Sequence, residues 1–530
     1  MIGKPRIWPR LLGFGIAFFF LSGLLNFNYP ANPLFTWRLL LPSLDVWLLM
    51  MIMAVAAGCG KRWLFWTGLA VWVLFLFLKM FRIGDTLVPM YLNRPFNLYI
   101  DSRYLLGLFD LLETSSLNGS FLMPAALTTA LGVIAASGVA WLMAARALRI
   151  YRLRLVLLCG SLLILCIVWL AGWKPVETPA MLRLGQEIIA VRQHVRRQRA
   201  FVARLEQVTL DRTAQPASLN GLGRADVLLF MVESYGRIVF SRPDYRQSMA
   251  ATMDGFAKIL DRHGFDAVSN YLVSPTYGGS SWLAHSTLES GIRVGDDFEY
   301  AALLRSSLPP MAAFFNRQGY RSVSVMPGTR FAYPEGAYFS YQRAAYAWHF
   351  DYRGRSFGWA PMPDQFVLDW VRRQEFERRQ QPLFVRFALI SSHGAYNLQP
   401  PFISDWNTIG DGSIYNRLAP IYYPYHWTDI KHAGDAYLRS LDYVFRALGD
   451  YLARYVTADA LIIVMGDHQP TVQLTGPGKP WSVPVHIISR NRRLLEPFHE
   501  RGYTPGLTPH QPPPHAGMET FLPGLLEDFR

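Results

Sequence analysis

Val227-Leu-Leu-Phe-Met-Val232, followed at once by Glu233-Ser-Tyr-Gly236, is the stretch on which the fold turns. An unbroken apolar run of this length, bounded by turn residues, reads as a strand buried on both faces. Similar runs recur at Arg321–Met326, Phe384–Ile390, Leu461–Met465 and Val483–Ile488. Helical patterns lie between them at Ser248–His263, Leu308–Gln318, Pro363–Gln380 and Asp429–Tyr455. Such alternation predicts an α/β domain with a mostly parallel sheet flanked by helices. In sheets of that kind ligands gather at the carboxyl ends of the strands. Glu233 falls at such an end, where it can ligate a divalent cation or merely cap a helix.

Two further stretches belong beside it. The fourth run ends in Met465-Gly466-Asp467-His468-Gln469. A carboxylate and an imidazole leaving one strand are ordinary ligands for zinc or manganese, though a surface turn gives the same letters. Tyr277-Gly278-Gly279-Ser280-Ser281-Trp282 opens a helical segment that Gly291 can end. A hydroxyl there sits among free N–H groups that favour a phosphate anion, or acts as a plain N-cap. His285, one turn on, can face the same place or pack.

The 51% apolar content is concentrated before residue 173. Five runs, Leu11–Phe27, Leu40–Gly60, Trp63–Leu78, Phe121–Ala145 and Leu155–Trp173, approach the length needed to cross roughly 30 Å of hydrocarbon. The third is short, with Arg62 and Lys79 able to snorkel from its ends. The first reads as a span and not a cleaved signal, because more spans follow and no small-residue cleavage pattern is evident. Lys4, Arg6 and Arg10, then Lys61 and Arg62, then Arg146, Arg149, Arg152 and Arg154 all fall on one side, which the positive-inside rule makes cytoplasmic. An odd number of spans places the remainder outside: a multi-pass protein of the cell (inner) membrane with an extracytoplasmic domain.

The expected division is a five-helix membrane domain over 1–173, a basic amphipathic connector over 174–222 and a catalytic domain over 223–530. In the connector Leu182, Ile188, Ile189, Val195, Phe201 and Leu205 alternate with Arg192, Arg196, Arg197, Arg199 and Arg204, either on the membrane surface or packed on the outer domain. Pro-rich Tyr503–His515 reads as an irregular loop before a short terminal helix. Cys59, Cys159 and Cys166 all lie in or beside spans, so any metal outside must use oxygen and imidazole. The net charge of +14 is accounted for by cytoplasmic loops and attraction to anionic lipid, with no call for a nucleic acid.

Taken in order, Glu233 in Val-Glu-Ser-Tyr-Gly, the hydroxyl in Gly-Gly-Ser-Ser-Trp, His393 in Ser-Ser-His-Gly and Asp467-His468 in Gly-Asp-His-Gln resemble the alkaline phosphatase/sulfatase superfamily. The nearest likeness is its lipoteichoic acid synthase-like branch, which also sets five spans before an extracytoplasmic catalytic domain. The resemblance implies one divalent metal ion (Mn, Zn or Mg) on Glu233, Ser281, Asp467 and His468, with Ser281 as nucleophile; Ser280 is the alternative, and the spacing from Gly279 favours Ser281. It implies that His393 contacts the transferred phosphate or assists the leaving group, and that Arg330 binds phosphate.

Departures from the pattern bear on substrate. Transferases of this branch usually carry Thr where this chain has Ser281, and the His-Asp and Trp-Arg pairs expected near Arg321–Met326 are not recognisable. Ser281 also lacks the Pro and Arg of a formylglycine motif, which argues against sulfate ester hydrolysis. The implied function is transfer of a head group, glycerol phosphate or phosphoethanolamine, from a membrane phospholipid donor to an envelope glycan or glycolipid acceptor through a phosphoserine intermediate. Hydrolysis by a phosphodiesterase or phosphatase, and a lipid-sensing non-catalytic membrane protein of the same fold, are the alternatives.

Overall fold

The computed structural model describes residues 7–27, 41–101, 119–157, 159–160, 180–214, 218–425, 430–456 and 459–530. They form two compact units, residues 1–89 with 94–196, and residues 90–93 with 197–530.

In the first unit Trp8–Asn26, Lys61–Pro89 and Leu127–Ala147 are helices long and apolar enough to cross a membrane. Leu44–Cys59 is a shorter apolar helix. Their outward faces carry bare apolar side chains, among them Trp8, Phe19, Trp63, Phe65 and Leu131, as lipid-facing helices do. The third span is not short: Trp63–Leu78 lies inside a 32-residue helix, Lys61–Leu92, that continues through Pro89. The expected fifth span, Leu155–Trp173, lies mostly outside the described residues.

The described part of the expected connector is the α-helix Ala180–Ala214 and a 3-10 turn at Asn220–Leu222. Its apolar residues do not share one face. Phe201 and Leu205 are buried with Glu187, His194 and Gln198, whereas Leu182, Ile188 and Ile189 are exposed. The buried positions keep helical spacing, so the stripe that packs is half polar.

The second unit is built on strands β1 (Asp226–Val232), β2 (Asp266–Val273), β3 (Arg321–Met326), β4 (Arg343–Tyr346), β5 (Leu383–Leu389), β6 (Leu398–Gln399), β7 (Ile421–Tyr422), β8 (Ala460–Gly466), β9 (Ser482–Ser489) and β10 (Thr504–Pro505). β6 and β7 pair separately; the other eight form one sheet in the order β10-β2-β9-β8-β1-β5-β3-β4. From β8 to β4 every neighbouring pair is parallel. β9 runs against both β8 and β2, and β10 against β2.

The period of two explains why β1 reads as wholly apolar. Leu228, Phe230 and Val232 enter the core on one face of the sheet, and Val227, Leu229 and Met231 enter the core on the other. Each such side chain contributes about 1.5–3 kcal/mol of burial. Helices Pro243–Arg262, Asp364–Val371 and Ile430–Tyr455 cover the first face; Met311–Arg317 and Phe521–Asp528 cover the second. β2, β4, β6, β7 and β10 were not foreseen: β2 mixes buried and half-buried residues without alternation and carries Ser and Asn, and the others are two to four residues long, β10 within the Pro-rich loop.

Candidate metal centre and nucleophile

Strands β5, β1 and β8 are adjacent and parallel, and the register pairs Val232 with both Leu389 and Gly466. Whatever follows each strand therefore emerges at the same edge. From β1 comes Glu233, from β8 come Asp467 and His468, and from β5 comes the loop to His393. The ladder runs one step past the strands, as Glu233 N–H donates to Leu389 O (3.0 Å) and Asp467 N–H to Val232 O (3.2 Å). Glycine lets the two loops touch: a Cβ on Gly466 would overlap the carbonyl oxygen of Tyr235.

Ser281 arrives from β2. Between strand and helix, Gly278 N–H donates to Gln469 O (3.0 Å) and the Ser274 hydroxyl to Asp467 O (2.6 Å), which tie this loop to the one after β8. Ser280 then takes a left-handed conformation (φ 60°) that turns the chain into the helix Ser281–Ser290. That turn brings the Ser281 hydroxyl 3.0 Å from Glu233 Oε2 and 3.1 Å from His468 Nε2.

Glu233, Asp467 and His468 are all buried, and one ligand atom of each lies within 4.8 Å of the others. His468 Nε2 is 3.3 Å from Glu233 Oε1 and 3.8 Å from Asp467 Oδ2. Asp467 Oδ1 accepts from Ser234 N–H (2.8 Å) and His468 N–H (2.6 Å), which holds its other oxygen toward the cluster. His468 Nδ1 faces the carbonyl of Gln469 at 2.7 Å. A carbonyl only accepts, so Nδ1 carries the proton and the lone pair of the neutral ring lies on Nε2, facing the carboxylates.

Two buried carboxylates beside one imidazole leave a charge that apolar surroundings penalise. Burial, then the charge of Glu233, push Asp467 up to about 8. Burial opposes charge on His468, but Asp467 and Glu233 outweigh it and raise the imidazole to about 9. Burial likewise works against ionised Glu233, yet the neighbouring His468 holds it below the usual carboxylate range. Two carboxylates, an imidazole and a serine oxygen around one point are a donor set that fits a divalent cation, which would take the place of the proton that the carboxylates favour on His468 Nε2.

The other expected residues stand at the rim. His393 is half-buried and stacks on Trp359 (centroids 4.0 Å, 15°), near enough to act electrostatically on Glu233. Arg330 is exposed; its guanidinium sits 5.5 Å above Trp359 and donates to that residue's carbonyl. Neither joins the cluster. Asp364, unforeseen from sequence, accepts from Ile390 N–H (2.8 Å) and Ser391 N–H (3.0 Å) and so pins the start of the His393 loop.

His285 packs. It is buried, with Nδ1 2.5 Å from Nη2 of Arg386, a cation in the middle of β5. Arg386 Nε also lies 3.1 Å from Glu289 Oε1, and Tyr341 donates to Glu289 Oε2 (2.8 Å). Ser281, His285 and Glu289 are successive turns of one helix face, so Arg386 braces the helix that presents the hydroxyl. The single Arg in Leu383-Phe-Val-Arg386-Phe-Ala-Leu389 was the readable signal for it.

No family model and no curated protein sequence matches the chain. Among solved structures it is similar to the lipoteichoic acid synthase of Listeria monocytogenes (13% identity, 58% of this chain and 73% of that one, TM-score 0.37). It is similar also to the C-terminal periplasmic domain of the phosphoethanolamine transferase of Campylobacter jejuni (13%, 57% and 88%, 0.38). A third is the Streptococcus pyogenes phosphoglycerol transferase in complex with sn-glycerol-1-phosphate (10%, 62% and 91%, 0.36). At this identity and TM-score the likenesses carry no argument about this chain.

Proposed function

We propose that the chain is a membrane-anchored, metal-dependent phosphotransferase of the alkaline phosphatase/sulfatase superfamily, in its lipoteichoic acid synthase-like branch. It moves a phospholipid head group, glycerol phosphate or phosphoethanolamine, onto a hydroxyl of an envelope glycan or glycolipid. Residues 1–173 anchor it, 174–222 connect, and 223–530 catalyse on the outer side of the membrane. One observation carries this reading: a serine hydroxyl at a helix start lies within 3.1 Å of both a buried glutamate and a buried histidine of a three-residue ligand cluster.

Glu233, Asp467, His468 and Ser281 would hold the cation, whose charge would favour the serine alkoxide and offset that of the phosphoryl oxygens. Ser281 Oγ–H already donates to Glu233 Oε2, the group placed to take its proton. Ser281 Oγ then bonds to phosphorus, the bond to the diacylglycerol oxygen breaks, and that oxygen leaves as an alcohol after accepting a proton from the His393 side. In the second half an acceptor hydroxyl gives its proton to the His393 side and attacks the phosphoserine, and the released Ser281 Oγ takes back the proton held by Glu233. Water in place of the acceptor makes the same site a hydrolase.

Intact-mass and peptide mass spectrometry of the full chain, incubated with phosphatidylglycerol or phosphatidylethanolamine, tests this. The expected result is an added glycerol phosphate or phosphoethanolamine on Ser281, absent in Ser281→Ala. Lipid turnover that proceeds equally well in Ser281→Ala would end the proposal. Head group recovered only as free soluble product, with every acceptor supplied, would convert it to a hydrolase.

A further inference from the structure

The rim around the nucleophile is rich in apolar side chains that face water. Trp282, Phe331, Trp348 and Trp359 are 38%, 78%, 47% and 40% exposed, and Leu418, Ile421 and Tyr422 are exposed with them. Leu210 apart, these are the large apolar side chains that the described residues of the second unit leave exposed. Scattered exposure of this kind needs no explanation, but its gathering at one edge of a sheet does.

The gathering follows from the topology. Trp282 comes directly after Ser281 and lines one cavity with Tyr333 and Tyr346. The Tyr346 ring lies 5.1 Å from that of Trp348. Ala347 N–H donates to Thr329 O (3.0 Å), which ties this turn to the loop carrying Arg330 and Phe331. Trp359 meets both the Arg330 guanidinium and the His393 ring. Past His393, Leu398 pairs with Tyr422 and Gln399 with Ile421, and both residues of that short strand are exposed. Segments that follow β2, β3, β4 and β5 thus each carry apolar tips on the edge where Ser281 lies.

The chemistry of these tips selects a partner. Indole rings and arginines beside bare phenylalanine and isoleucine are the side chains that settle at a bilayer surface, rings at head-group level and guanidinium on phosphate. Arg330 and Arg355 donate to the carbonyls of Trp359 and Asn416 and make no ion pair among the described residues, so both charges remain for phosphate. A protein partner is matched by one closely packed face. These tips stand on separate loops around an opening, an arrangement that a fluid surface accommodates. We infer that this rim docks on a phospholipid bilayer and seats the edge carrying Ser281 in its head-group layer. Three helices of the chain are long and apolar enough to keep a bilayer close at hand. That the docked lipid is the phosphoryl donor rests on the function proposed above; the docking itself does not.

Lipid-quenched fluorescence of the full chain tests this. Cys59, Cys159 and Cys166 are replaced by Ala, and a bimane label is attached at Ala332→Cys, an exposed neighbour of Phe331, or at Arg378→Cys, exposed before β5 at the opposite edge of the sheet. The nanodiscs are phosphatidylcholine doped with a phosphatidylcholine that carries a nitroxide on its acyl chain. Quenching about threefold stronger at position 332 than at position 378 is expected, equal in Ser281→Ala and lost in Phe331→Ser/Trp348→Ser. Should the cysteine-free chain fail to fold, the quenching that each label adds to that of the unsubstituted chain gives the same comparison. Equal quenching at the two positions, or quenching that survives Phe331→Ser/Trp348→Ser, overturns the inference. So does a label shielded from aqueous iodide yet untouched by the lipid nitroxide, which would put a protein over the rim. Quenching without any adduct on Ser281 leaves the docking surface standing and removes the transferase; an adduct without quenching does the reverse.

Discussion

Arg386→Met isolates the buried brace beneath the nucleophile. Arg386 and Glu289 side chains are 3% and 2% exposed and 3.1 Å apart, so the substitution leaves a carboxylate in the core with only Tyr341 as donor. Removing one partner of a buried pair costs about 3–5 kcal/mol. At about 2.1 cal/mol/K per residue over roughly 330 residues of the unit, that lowers Tm by about 4–7 °C. Burial already raises Glu289 in the wild type, with Arg386 opposing it. Without Arg386 the folded value climbs further above the unfolded one. A raised folded pKa confers stability that is complete below the unfolded value and lost as pH rises through the folded one. The deficit should therefore be larger at pH 8 than at pH 5. Thermal unfolding of the full chain, followed by tryptophan fluorescence at both pH values, measures it. Arg386→Met/Glu289→Gln should recover most of the loss, because no charge is then left unpaired. A shift below about 1 °C, or a double variant no better than the single, would refute the argument.

Two further outcomes follow from the geometry. Glu233→Gln, Asp467→Asn and His468→Ala should each retain at least about tenfold less divalent metal than wild type by elemental analysis, and metal at about 100 times its Kd should stabilise the wild type by about 2.7 kcal/mol; equal metal content in all four proteins would count against the site. Asp364, pushed up to about 7 by burial, has its folded pKa above its unfolded one, so its stabilising effect is full below about pH 4 and lost by about pH 7. The Tm of the wild type should fall relative to Asp364→Asn across that window, and a rising difference would sink the assignment.

Much of the architecture was legible because its signals are local. An apolar run between turn residues must be a buried strand, and β1, β3, β5, β8 and β9 fall within a residue of where patterning put them. β2, β4 and β10 escaped because a strand that carries Ser and Asn, or is only two to four residues long, takes its identity from its neighbours. The same holds for the antiparallel run of β9. Nothing in Val483–Ile488 states its direction; pairing with β8 and β2 decides it.

The amino-acid order alone determined which chemical groups were on offer, an acid, a hydroxyl, an Asp-His pair and a histidine, since side-chain type and strand-end position are written locally. Only the tertiary structure decided which of them meet. The parallel register of β5, β1 and β8 brings Glu233, Asp467 and His468 to one point, and the left-handed turn at Ser280 delivers Ser281 to it. Arg330 and His393, equally prominent as letters, are drawn instead to Trp359. The physical reason is distance: hydrogen bonds and ligand geometry act over a few ångströms, and such separations between residues far apart in the chain are set by strand pairing and packing.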